Sequence, residues 1–156
     1  MYILCFTILP IALLAQQDST SKVVFQDVIV NAVKATDKDP HTQTSLTKTQ
    51  LNERNTGRDL PYLLDQQPNV IVTSDAGAGT GYTGMRIRGS DLSRINVTIN
   101  GIPMNDAESQ QVYFVDMPDL ASSTNAIQIQ RGVGASTNGG ETFSASVNMQ
   151  TNGFSP

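Results

Sequence analysis

The chain has 156 residues and a net charge of −4, with ten Lys and Arg against fourteen Asp and Glu, and only 15% charged residues where about 25% is typical. That length accommodates one domain with its own core, and scattered basic residues exclude the basic face that nucleic-acid binding needs. One Cys and one His exclude a disulfide framework and a soft-metal centre.

Residues 1–15 differ in character from the rest of the chain. Tyr2 to Ala15 is almost unbroken apolar sequence, followed by polar Gln16, Gln17 and Asp18. It is shorter than the roughly 20 residues of a membrane span. Its position, length and small residue before a polar flank predict a secretory signal peptide. Cys5 falls inside it, so the exported chain is expected to have no thiol. Residues 16–45 read as a flexible N-terminal segment. Within it, Asp27, Val28, Ile29, Val30, Asn31 and Ala32 form a short β-branched strand between polar linkers, and residues 34–45 read as loop.

A helix is predicted to start at Thr47, where Thr47 and Gln50 have capping-box spacing and Leu46 and Leu51 that of a hydrophobic staple. Gly57 is its expected stop. A second helix is expected from Asp59 to Gln67, with Leu60, Leu63 and Leu64 on one face and Pro68 as terminator. Short strands come next: residues 69–73, residues 85–89 with Arg86 and Arg88 on one face, and residues 95–99 ending in the turn dipeptide Asn100-Gly101. After a polar loop at 102–113 and a helical turn around 116–122, residues 127–132 and 144–150 alternate again. The sum is an α+β domain: a small mixed β-sheet, two to three short helices and Gly-rich loops.

Little in the chain suggests catalysis or a cofactor. His41 stands alone in a loop. Asp106 and Glu108 have no further acidic ligands around them in sequence. Gly79-Thr80-Gly81-Tyr82-Thr83-Gly84 matches G-x-G-x-x-G, but a strand is expected next, whereas phosphate binding needs a helix N-terminus there. No enzyme activity, cofactor or metal is expected.

Several pieces in order resemble the plug domain of TonB-dependent outer-membrane receptors. They are the β-branched box at 27–32, Leu63-Leu64 before Pro68-Asn69-Val70, Met85-Arg86-Ile87-Arg88-Gly89, Val97 to Pro103, Ile127 to Gly132, and Gly139-Gly140 before a final strand. The resemblance covers most of residues 25–152, and the loop composition looks most like receptors of the Bacteroidota. It departs at Asn100-Gly101, where the family commonly has Asp-Gly, and at Val133, where it commonly has Pro.

The resemblance implies a plug at residues 46–152 that occludes a β-barrel, binds substrate on its outer side and is coupled to TonB. It implies that residues 27–32 are a TonB box taken up by the TonB C-terminal domain through strand addition. Arg88 and Arg131 would contact carboxylates of the barrel wall. Tyr82, Asn105 and Tyr113 would face the substrate, a small molecule, glycan or peptide. The expected location is the cell outer membrane. No alternating lipid-facing strands come after Gln150, so residues 153–156 read as the start of a barrel and the chain as a fragment. The alternative is a stand-alone exported binding module with a plug-like fold.

Overall fold

The computed structural model describes residues 41–133 and 142–151. The signal peptide, the box at 27–32 and residues 153–156 lie outside the described residues.

Among the described residues, seven strands form two sheets. The larger has the order β1 (Thr42–Thr47), β6 (Thr124–Arg131), β7 (Ala145–Thr151), β4 (Ile95–Ile99) and β5 (Ile102–Pro103). In it β4 and β7 are parallel and the other neighbours antiparallel, so the sheet is mixed as expected. Register partners share a face, which puts Leu46, Ile127, Ile129, Val147, Met149, Val97 and Ile95 on one side. Those residues are buried, and Leu51, Leu60, Leu63, Leu64, Met85, Ile87 and Phe114 complete the same core. The opposite face is uncharged and polar: Gln128 and Gln130, Ser146 and Asn148, Asn96 and Thr98.

Residues 42–45 are strand rather than loop. Thr42 to Ser45 lack an apolar alternation, but β1 is held through its main chain, residue by residue, against β6, and Leu46 anchors it in the core. The helix α1 (Lys48–Arg54) starts where expected. The Gln50 side-chain oxygen accepts the Thr47 main-chain N–H at 3.0 Å, and Leu46 and Leu51 are both buried.

The second helix is shorter and tighter than its pattern suggests. Residues 60–63 form a 3-10 turn, and i→i+3 bonds (Leu64 N–H to Pro61 O, Gln67 N–H to Leu64 O) carry the chain to Pro68. Pro61 in the first turn is compatible with a helix, but the segment ahead of Pro68 is too short to propagate an α-helical ladder. Its three leucines are buried all the same.

β2 (Val70–Ser74) and β3 (Thr83–Ile87) pair with each other as a separate hairpin. A strand and not a helix therefore comes after the glycine-rich turn. Arg86 and Arg88 do not share a strand face. β3 ends at Ile87, and Arg88 takes the left-handed conformation, φ +53°, followed by Gly89 at +82°. Asn100 and Gly101, at φ +52° and +84°, make the tight β4–β5 turn. A 3-10 turn at Phe114–Asp116 and the one-turn helix α2 (Leu120–Ser123) lead into β6.

Candidate functional site

Two groups of side chains stand out. The first lies at the C-terminal end of β6. Arg131 continues the apolar row Ile127, Ile129, and is only 4% exposed. Its Nε–H donates to the Pro68 carbonyl at 2.9 Å and its Nη1–H to the Thr44 hydroxyl at 2.8 Å. Its Nη2 is buried and has no partner among the described residues. Arg88 reaches the same spot from the hairpin: a Cβ added to Gly132, at φ +105°, would lie 3.3 Å from Arg88 Nη1. Burial, and then the charge of Arg88, push the Arg131 pKa below its ordinary value. The partners of Arg131 among the described residues are neutral oxygens. Two neighbouring guanidinium groups with an unused buried donor suit a carboxylate, which an Arg binds bidentately.

The second group comprises two loops. In the glycine-rich turn, the Asp59 main-chain N–H donates to Gly79 O at 2.9 Å. The Thr83 hydroxyl donates to the buried Asp59 carboxylate at 2.9 Å. Arg58 and Tyr62, whose guanidinium carbon and ring centroid are 5.3 Å apart, close over Gly79, where a Cβ would come within 2.8 Å of Arg58 Cδ. Only glycine fits there. Tyr82 emerges from this turn 66% exposed.

In the second loop, Asn105 is half-buried and its amide is fully engaged with main chain. Oδ1 accepts the Val97 N–H at 2.9 Å, and Nδ2 donates to Ile95 O and Gln110 O, both at 2.9 Å. Such an amide positions the loop; it leaves no free donor for a ligand. The Asp106 carboxylate accepts the Ser109 N–H at 2.7 Å and its hydroxyl at 2.9 Å. Those bonds, the main-chain one first, hold the Asp106 pKa below the usual carboxylate range. Tyr113, 43% exposed, donates its phenol to Ser109 Oγ at 3.2 Å. Tyr82 and Tyr113 thus stand on rigid loops.

Asn105→Ala is expected to destabilise the domain by about 1–3 kcal/mol, since it orphans one N–H and two carbonyls that are partly shielded from water. Urea denaturation measures the loss, and hydrogen exchange should localise it to residues 95–110. A loss no larger than a few tenths of a kcal/mol would mean that water replaces the amide.

The structure places Arg88 beside Arg131 and leaves Tyr82 and Tyr113 exposed; sequence reasoning did not single out Asp59 and Thr44. Asp59 carried a signal, an acidic residue just before Leu60-Pro61, which reads as a helix cap. It instead binds the strand residue Thr83. Thr44 carried none. Among the described residues no group of three or more His, Cys, Asp or Glu could hold a metal ion, and no helix is long and apolar enough to cross a membrane.

Residues 35–146 match the family described as TonB-dependent Receptor Plug Domain. No curated protein matches the chain. Among solved structures it is similar to the siderophore receptor PirA from Acinetobacter baumannii, at 19% identity and a TM-score of 0.54, over 72% of this chain and 17% of that one. It is similar to the ferric enterobactin receptor PfeA of Pseudomonas aeruginosa at 20% identity and a TM-score of 0.57, over 75% and 18%. The Serratia marcescens hemophore receptor HasR gives 14% identity and 0.55, over 74% and 17%. The chain spans less than a fifth of the length of these receptors.

Proposed function

The chain belongs to the TonB-dependent receptor plug family, and from that premise we propose that its domain occludes a β-barrel in the outer membrane and opens it when TonB pulls. The family is one of transporters rather than enzymes. The observation that carries the proposal is the buried Nη2 of Arg131, without a partner among the described residues, beside Arg88. A buried cation without a counter-charge is costly on a free-standing domain. The cost is lowered when a surrounding wall brings a carboxylate against the exposed Arg88 beside it. An uncharged polar sheet face is also suited to a wet protein enclosure.

In this reading the apolar segment at 1–15 directs export, and residues 27–32 add a strand to the TonB C-terminal domain. Tyr82 and Tyr113 meet the substrate on the outer side, with Asn105 and Asp59 fixing their loops. Siderophores and heme are the substrate classes that the similar receptors suggest.

The test is binding of the chain to the purified TonB C-terminal domain, with and without residues 27–32. Calorimetry should give saturable binding to the intact chain and none after deletion. Full binding by the deleted chain would refute the assignment of the box.

A further inference from the structure

The turn that folds β5 back onto β4 is Asn100-Gly101, the one Asn-Gly dipeptide among the described residues. Both residues are exposed, and both have positive φ, +52° and +84°. An asparagine ahead of a glycine carries a reaction of its own. Glycine has no Cβ to shield its main-chain nitrogen, so that nitrogen can attack Cγ of the preceding side chain. An N–Cγ bond forms and the Cγ–Nδ2 bond breaks. Nδ2 leaves as ammonia, taking the proton that the attacking nitrogen gives up. Water then opens the cyclic imide at one of its two carbonyls. One opening restores the ordinary main chain with aspartate in place of asparagine. The other routes the main chain through the side-chain carbon, as isoaspartate.

The fold holds the reacting atoms apart. The Asn100 side chain reaches across to the end of β7, where Nδ2–H donates to Thr151 Oγ1 at 2.7 Å and Oδ1 accepts the Thr151 N–H at 3.0 Å. The Asn100 main-chain N–H donates to Met149 O at 2.8 Å. Three bonds thus strap this residue to the strand that lies parallel to β4. Ring closure needs the side chain to turn back toward its own carbonyl carbon, which carries the Gly101 nitrogen. An amide bonded through both its donor and its acceptor must break both bonds to make that rotation. The turn itself is fixed by the pairs Ile99↔Ile102 and Thr98↔Pro103.

We infer that Asn100 is a fold-gated deamidation site: protected while β7 holds its side chain, and converted to aspartate or isoaspartate in chains where that joint opens. The inference goes beyond the proposed function and needs no barrel, TonB or substrate. The two products differ in effect. Aspartate keeps an acceptor for the Thr151 N–H, and the Thr151 hydroxyl turns to donate to the new carboxylate. It also tolerates positive φ, so the turn survives with one more negative charge. Isoaspartate inserts a methylene into the main chain, and the two residues no longer fit a tight turn. β5, paired at two positions, then loses its register. Opening of the β4–β7 joint is thus written into the chain as a covalent change.

The full chain, incubated at mildly alkaline pH with and without urea and then digested with trypsin, tests this. The peptide from Ile95 to Arg131 carries Asn100 together with Asn96, Asn105 and Asn125, none of which precedes a glycine. Fragment masses assign the conversion to one residue, and chromatography separates the two products. In native buffer Asn100 should convert many-fold more slowly than in urea, while the other three stay unchanged. Thr151→Val removes Oγ1 but keeps the N–H, and should speed the native conversion several-fold. Thr151→Ser keeps the hydroxyl and should leave it slow. Circular dichroism of each variant verifies that it is folded, and should Thr151→Val prove unfolded, the wild-type comparison between buffer and urea decides by itself. Equal wild-type rates in buffer and urea, or a folded Thr151→Val chain as slow as wild type, would overturn the inference. Failure to bind TonB through residues 27–32 would leave these rates unchanged.

Discussion

Phe114→Ala is expected to cost about 3–5 kcal/mol, the range for deleting a fully buried aromatic ring. Phe114 is 1% exposed and the largest of the fully buried side chains. It sits in a 3-10 turn, flanked by the exposed Tyr113 and followed by the segment that leads to α2 and β6. That turn is short and cannot collapse inward without pulling on Tyr113 and the main-chain bond from Met117 N–H to Phe114 O. The cavity therefore stays open, which favours the upper part of the range. Against a total stability of about 5–15 kcal/mol, such a loss is a large fraction. Urea denaturation followed by circular dichroism should show a lower midpoint with an unchanged slope. A loss under about 1.5 kcal/mol would mean that the core repacks around the gap, contrary to the rigidity argued for the Tyr113 loop.

The second large effect concerns Arg131, and its size depends on the replacement. Arg131→Ala removes two bonds from a charged donor, each worth about 1.5–3 kcal/mol, and leaves Pro68 O and Thr44 Oγ1 without that partner. Part of that loss is offset, because a desolvated charge and its repulsion by Arg88 vanish with the side chain. A net loss of about 2–3 kcal/mol is expected. Arg131→Met orphans the same two oxygens but keeps the apolar stem in the core and discards the charge, so its loss should be smaller than that of alanine, about 1–2 kcal/mol. On the proposed function, the same Arg131→Met change should lower substrate uptake in a receptor that carries this plug, or leave the barrel leaky, since a carboxylate of the enclosing wall would then keep Arg88 alone as its cation. Denaturation of the two variants and an uptake assay separate the roles. An Arg131→Met plug that is strongly destabilised yet still gates would reverse the assignment, making Arg131 a residue of the fold and not of the enclosure.

Much of the architecture was readable residue by residue. Alternation marked residues 85–89, 95–99, 127–132 and 144–150 as strands, each overlapping an observed one, because a strand with one buried face must place apolar residues two apart. Asn100-Gly101 announced a tight turn, because both positions require positive φ. The capping and staple residues marked the start of α1 to the residue. β1 escaped notice because Thr42 to Ser45 contribute main-chain pairing and almost no apolar area. The helix expected at 59–67 was overestimated because leucine spacing does not distinguish α from 3-10 packing over so few residues.

Residue order alone was enough to say where the Asn100-Gly101 turn falls, which face of the alternating strands is apolar and, through the succession of motifs, which family the chain joins. Those properties are local, or lie in the linear succession of elements. It took the folded chain to separate β2 and β3 from the main sheet, to bring Arg88 beside Arg131, and to tie Asn105 to β4. Asn105 lies 8 and 10 positions from its β4 partners, but Arg88 and Arg131 are far apart along the chain, as are Arg131 and Thr44, 87 positions from each other. Which pairs meet at such a distance depends on long-range strand register, to which side-chain periodicity is blind.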